Sequence, residues 1–193
     1  MHAWSACGAR VELLTVLACD PDSAVATGGW DRRGGFATEG ESARARREED
    51  VAACAAVGAT PVWLPFGSVD YERHGTDDEV VEHTVSKLGA PDLVLVPGFP
   101  LSHPDHRWLV DHLLASSAVA LLRTAFYAEQ PYTARADGIP SGFTVLGVGP
   151  RDRLAKWRGI RCYRSQLPLL ALGGLRATAA LTRKPELVAG RLD

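Results

Sequence analysis

Four consecutive residues, His103-Pro104-Asp105-His106, carry the side chains best suited to chemistry in this chain. They place two imidazoles and one carboxylate close together, and neutral imidazole and carboxylate are ligands that suit Zn²⁺. If a helix begins here, the i, i+3 spacing lets both imidazoles face the same cleft, and Asp105 can orient a ring through its second nitrogen. The alternative is a helix-capping Asp105 beside two surface histidines. We predict a catalytic metal site, with His106 as a ligand.

The elements around this tetrapeptide favour a functional site. Residues 92–97 form an apolar run bounded by two prolines, which is typical of a strand buried on both faces. Residues 98–102 are predicted to form a loop and residues 105–115 a helix. Ligands of open α/β sheets bind outside the carboxyl ends of the strands. The tetrapeptide follows the clearest strand of the chain, where such a ligand would be expected.

The rest of the chain alternates predicted strands and helices. The patterns predict strands at 11–17, 60–65 and 143–148, and helices at 42–57, 76–87 and 151–166. Residues 118–127 are compatible with helix or strand, and residues 167–193 give weak signals. Residues 20–40 are predicted to form a loop, which at this length is usually functional or disordered. The alternation predicts an α/β fold with a mostly parallel sheet.

The composition narrows the class of protein. A chain of 193 residues fits a single domain spanning 1–193, and 46% hydrophobic residues can supply its core. The net charge of −2 gives no basic footprint for a nucleic-acid partner. No segment reaches the roughly 20 apolar residues of a membrane span. The scattered cysteines predict reduced thiols in a cytoplasmic protein; they are Cys7, Cys19, Cys54 and Cys162.

Together with its neighbours, the tetrapeptide resembles the signature of the PIG-L/LmbE-type zinc-dependent de-N-acetylases. Other segments resemble that family in the same order, so that the likeness spans residues 8–166. They are Gly8-Ala9-Arg10-Val11, Arg46-Arg47-Glu48-Glu49-Asp50, residues 65–71 with Asp70, Pro91-Asp92-Leu93-Val94, residues 127–132, and Tyr163-Arg164-Ser165-Gln166.

This resemblance implies a Rossmann-like three-layer fold and hydrolysis of an N-acetyl group on an amino sugar or small glycoconjugate. It implies a zinc ion that activates the attacking water, with His106 as a ligand. His103 matches the histidine that stabilises the oxyanion and protonates the leaving amine, and Asp105 matches the residue that orients the neighbouring imidazole. Arg46 and Asp70 match positions that hold substrate hydroxyls. A homo-oligomer is compatible with these features.

One family motif has no counterpart in this sequence. The N-terminal His-x-Asp-Asp, which supplies two zinc ligands and the general base, is not present in residues 1–193, and the first strand of the fold would be missing too. Catalytic zinc sites use three protein ligands, so the expected site is incomplete. The chain is therefore expected to be N-terminally truncated, or else a degenerate member that acts as a sugar-binding or scaffold protein. An unrelated nucleotide-binding α/β domain is disfavoured because no GxGxxG follows the first predicted strand.

Overall fold

A computed structural model describes residues 1–72, 74–135, 139–172 and 174–192. Its helices are α1 (His2–Ala6), α2 (Gly29–Arg33), α3 (Glu39–Val57), α4 (Asp77–Leu88), α5 (Pro104–Ala115), α6 (Ser117–Ala120), α7 (Pro150–Ile160) and α8 (Leu175–Arg183), with a 3-10 helix at Tyr132–Arg135. Its strands are β1 (Glu12–Thr15), β2 (Thr60–Trp63), β3 (Val94–Phe99), β4 (Thr124–Ala128), β5 (Thr144–Leu146) and β6 (Glu186–Ala189).

The elements group into two compact units. The first is formed by the described residues of Met1–His74 and Val148–Arg183, and the second by those of Gly75–Gly147 and Lys184–Asp193. The single domain expected over 1–193 stays a prediction. Within the part of the chain that is described, no helix combines the length and apolarity that a membrane span needs.

Helix α3 is the longest element of the first unit. Its Ala, Arg and Glu residues are strong helix formers, and a capping box joins Thr38 and Glu41 at its start. The helix therefore begins three residues before residue 42, where the sequence pattern predicts its start. It ends at Gly58, whose φ of 69° is the left-handed conformation that suits glycine. Strands β1 and β2 pair in parallel, in a register that places Glu12 opposite Thr60.

The second unit contains a four-stranded sheet in the order β3-β4-β6-β5. Strands β3 and β4 are parallel, whereas β6 runs antiparallel to both β4 and β5. The core lies between this sheet and two helices, and consists of Val94 and Val96 from β3, Val110 and Leu113 from α5, and Val119 from α6.

The predicted α/β class is confirmed, and the described strands make a mixed larger sheet rather than a parallel one. Strand β6 comes from the C-terminal segment, where the sequence pattern is weak, and it accounts for both antiparallel pairings. Residues 118–127, which were compatible with helix or strand, divide between the end of α6 and the start of β4. Their apolar run is short in each element, so periodicity alone cannot assign it.

Candidate functional site

His103 stands at the start of α5, where the sequence placed the tetrapeptide. It is the N-cap residue, with Pro104 in the first helical turn, a position that proline tolerates because the first N–H groups of a helix have no intrahelical partner. The backbone N–H of Asp105 donates to Nδ1 of His103 at 3.2 Å. Because Nδ1 accepts a hydrogen bond, the neutral ring carries its proton on Nε2.

His106 is held in the opposite way. Its Nδ1 contacts Oε1 of Glu129, which follows the carboxyl end of β4. Glu129 is 2% exposed, and its other oxygen, Oε2, accepts from the backbone N–H of Leu101 at 2.9 Å. A carboxylate only accepts, so Nδ1 of His106 is the donor and the neutral ring keeps its lone pair on Nε2.

The two imidazoles are neighbours on the surface of the second unit. Their ring centroids are 5.0 Å apart, and their side chains are 36% and 39% exposed for His103 and His106. The ring of Tyr132 lies 6.5 Å from His103 and 6.3 Å from His106. Burial and the charge of Glu129 raise the pKa of the Tyr132 hydroxyl, which therefore stays a neutral donor. At Nε2, His103 can donate a hydrogen bond and His106 can accept a proton.

Asp105 lies where the sequence predicted it, but its side chain is not the closest contact of His103. The carboxylate Oδ2 is 3.9 Å from Nδ1 of His103, whereas the backbone amide of the same residue makes the hydrogen bond. The side chain is buried in the first turn of α5, where the helix dipole favours a negative charge. Asp105 therefore orients His103 mainly through its backbone.

The described residues do not supply a complete zinc site. Over residues 1–72, 74–135, 139–172 and 174–192, no three or more His, Cys, Asp and Glu side chains are grouped so that they could hold a metal ion. Catalytic zinc uses three protein ligands. His106 offers one imidazole with an oriented lone pair, which is short of that number, so we derive no step through a metal.

The two residues predicted to bind substrate belong to the first unit. Arg46 pairs with Asp31, whose side chain is 2% exposed and also accepts from the Tyr71 hydroxyl at 2.6 Å. Asp70 is exposed and lies against Gly28, where an added Cβ would come within 2.7 Å of the Asp70 Cβ. Arg46 thus has a structural partner, and Asp70 remains accessible to a ligand.

Several segments that carry the family resemblance hold the first unit together. Asp50 of α3 accepts from the Trp63 indole at 2.8 Å and from the Tyr163 hydroxyl at 2.9 Å. Gln166 accepts from the Trp30 indole at 2.9 Å, which ties α2 to the segment after α7. The 20–40 segment is therefore anchored, and it contains a helix as well as loop.

Glu129 is the site residue that sequence reasoning does not assign to the site. Its 23-residue separation from His106 gives no local pattern. Two signals point to it. Residue 129 lies in the 127–132 segment that resembles the family, and it follows β4, which lies beside β3 so that both carboxyl ends meet at one edge of the sheet.

Comparison with known proteins places the fold. No protein-family model matches the chain, and no curated protein matches it. A solved triple mutant of the deacetylase of the teicoplanin biosynthetic pathway is 23% identical, with a TM-score of 0.77 over 97% of this chain and 88% of that one. The zinc-inhibited form of teicoplanin deacetylase is 19% identical, with a TM-score of 0.76 over 97% and 89%.

The chain shares the fold of these deacetylases. It also matches GalB, the 4-carboxy-2-hydroxymuconate hydratase of Pseudomonas putida, at 18% identity and a TM-score of 0.61, over 100% of this chain and 89% of that one. Two different activities therefore occur on similar folds, and the function of this chain has to be argued from its own residues.

Proposed function

We propose that this chain is a hydrolase that removes an N-acetyl group, or a similar acyl group, from an amino sugar or small glycoconjugate. The observation that carries the proposal is the pair His103 and His106, adjacent at the start of α5 and held in opposite tautomers. Amide hydrolysis needs a group that accepts a proton from water and returns it to the leaving amine, and a hydrogen-bond donor that stabilises the oxyanion. The fold shared with two deacetylase structures supports this reading.

In the proposed reaction, Nε2 of His106 faces the attacking water as an acceptor. The Nε2–H of His103 donates a hydrogen bond to the oxygen of the tetrahedral intermediate, with Asp105 orienting its ring. As the C–N bond breaks, His106 gives the proton that it took from water to the departing amine, and the acyl group leaves as the carboxylate. Arg46 and Asp70 are proposed to bind substrate hydroxyls, as the family resemblance implies. The roles of these two residues rest on the sequence alone.

Whether the chain binds zinc is part of the proposal, and its metal content is to be measured. A deacetylase of similar fold is known in a zinc-inhibited form. An ion bound at Nε2 of His106 would compete with the proton that this nitrogen accepts in the proposed reaction. Among the described residues, His106 does not belong to any group of three or more His, Cys, Asp and Glu side chains that could hold such an ion. A Rossmann-like three-layer arrangement, a cytoplasmic location, a single domain and a small-molecule partner rather than a nucleic acid are retained as proposals.

The test is acetate release by the purified full-length chain from a panel of N-acetylhexosamine conjugates, with metal content measured before and after chelation. We expect His106→Ala and His103→Ala to lose activity by roughly 100-fold or more. His83→Ala, at an exposed position on α4, is the matched control and should retain it. No acetate from any conjugate, with or without added zinc, would refute the proposal.

A second candidate is a non-catalytic sugar-binding or scaffold protein. It is favoured by the lack of a three-ligand group among the described residues. Calorimetric titration with N-acetylglucosamine separates the two candidates, because this alternative predicts heat of binding without acetate release.

A further inference from the structure

Glu129 is a buried carboxylate that takes no direct part in the proposed reaction. A buried carboxylate is costly unless hydrogen-bond donors compensate it. Both oxygens of Glu129 have a donor, since Oε1 contacts Nδ1 of His106 and Oε2 accepts from the Leu101 N–H at 2.9 Å. The side chain thus joins the end of β4 to α5 and to the turn before it.

We infer that Glu129 is a positioning residue that selects the Nδ1–H tautomer of His106 and so makes Nε2 its accepting nitrogen. The inference rests on the proposed function for its catalytic meaning, but the tautomer is a property of the folded chain. A hydrogen bond to a charged group is strong enough to bias two tautomers by roughly tenfold or more.

The same carboxylate also holds the turn that leads to His103. Leu101 has a φ of 54°, a left-handed conformation that is unfavourable for a residue with a side chain. Its N–H is bound by Glu129, and its carbonyl accepts from the Arg107 guanidinium at 3.0 and 3.3 Å. Glu129 therefore acts on both imidazoles, on His106 directly and on His103 through the backbone before α5.

Glu129→Gln distinguishes this role from simple packing, because glutamine has nearly the same shape. Its amide oxygen can still accept from the Leu101 N–H, and its NH₂ group then faces Nδ1 of His106 as a donor. The reverse orientation would place the NH₂ group against the Leu101 N–H, donor against donor. We therefore expect Glu129→Gln to keep the fold and to move the His106 proton to Nε2.

The readout is the two-bond ¹H–¹⁵N spectrum of the ¹⁵N-labelled full-length chain at alkaline pH, where free imidazole is neutral. His106 is assigned by the signals lost in His106→Ala. We expect a pyrrole-type Nδ1 in the wild type, favoured by roughly tenfold or more, and a pyrrole-type Nε2 in Glu129→Gln. Glu79→Gln removes the capping-box carboxylate of α4 in the same unit and should leave the His106 tautomer unchanged.

A wild-type chain with mixed tautomers, or with Nε2–H, would overturn the inference without any variant. So would a folded Glu129→Gln chain that keeps Nδ1–H, or an equal change in Glu79→Gln. If the wild type releases acetate, Glu129→Gln should lower kcat/KM by roughly 10- to 100-fold. If no acetate is released, the proposed function fails, while the spectra still decide the role of Glu129.

Discussion

Arg46 of α3 and Asp31 of α2 form an ion pair in which the carboxylate is almost fully buried, with 29% of the arginine and 2% of the aspartate side chain exposed. The Tyr71 hydroxyl donates to the other oxygen of the same carboxylate. The pair joins α3 to α2, which lies within residues 20–40, where the sequence predicts only a long loop. Arg46 therefore has a stabilising role, whatever it contributes to substrate binding.

Breaking this pair should destabilise the chain. We expect Arg46→Ala to lower the free energy of unfolding by about 3 kcal/mol, because it leaves a buried carboxylate without its cation. Arg46→Lys should lose less, since it keeps the charge but not the planar fork. Urea unfolding gives both values, and Arg158→Ala, at an exposed position on α7, is the control. An Arg46→Ala chain as stable as that control would contradict the structural role.

The sequence predicts α3 and β3 well because their local signals agree with their surroundings. Helix α3 is rich in strong helix formers, and β3 is an apolar run between prolines. Helix α2 is not predicted from the sequence, because it has only five residues and begins with glycine. Its Asp31 is held by tertiary contacts. Strand β6 is not predicted from the sequence because its pairing partners lie 40 or more residues away in the chain.

The candidate site also has features that the sequence predicts and features that it does not. Two imidazoles and a carboxylate within four residues form a local pattern, which is why His103, Asp105 and His106 can be proposed from sequence. The tautomers cannot, because they depend on the backbone of the first turn of α5 and on Glu129 from another strand. Local spacing specifies which groups are available, whereas the fold specifies which ring nitrogen donates and which accepts.

The start of α3 offers a measurement of the capping box. Thr38 accepts from the Glu41 N–H at 3.2 Å, and the Glu41 carboxylate accepts in return from the Thr38 N–H at 3.3 Å. Thr38→Ala should cost about 1 kcal/mol of unfolding free energy, because an N–H at the helix start loses its acceptor. Thr38→Ser keeps the hydroxyl and should stay near the wild type. Equal stability of Thr38→Ala and Thr38→Ser would show that the box contributes nothing measurable.

Gly98 sits at the carboxyl end of β3, where the strand meets its neighbour closely. A Cβ at this position would lie 2.6 Å from the Phe126 Cβ and 3.2 Å from a ring carbon of Phe143. Gly98→Ala should therefore push β3 and β4 apart and cost roughly 1–3 kcal/mol. Gly147→Ala is the matched control, since nothing lies within 4 Å of its added Cβ.

Thermal unfolding of the two glycine variants gives the comparison. Gly98→Ala should also disturb the Glu129 contacts, because the Glu129 N–H donates to the Phe99 carbonyl at 2.6 Å, one residue further on. If Gly98→Ala unfolds at the same temperature as Gly147→Ala, β3 and β4 do not approach each other as closely at Gly98 as the structure shows.

Because of two half-buried tyrosines of the first unit, Tyr71 and Tyr163, we expect a loss of stability at alkaline pH. Burial, followed by the hydrogen bond and charge of Asp31, raises the pKa of Tyr71 from 10.0 to about 12. Burial and the charge of Asp50 also raise the pKa of Tyr163. The unfolded chain then loses these protons near pH 10 while the folded chain retains them. Stability is therefore fully present below pH 10 and falls as pH rises toward 12.

Urea unfolding across this pH range should show the wild-type free energy falling with a slope that Tyr71→Phe reduces. Tyr71→Phe will be less stable near neutral pH, because Asp31 loses a donor, but it has no phenol to ionise at this position. Its curve should therefore approach the wild-type curve as the pH rises. Arg158→Ala removes no tyrosine and should run parallel to the wild type. Parallel curves for wild type and Tyr71→Phe would mean that Tyr71 ionises equally in both states.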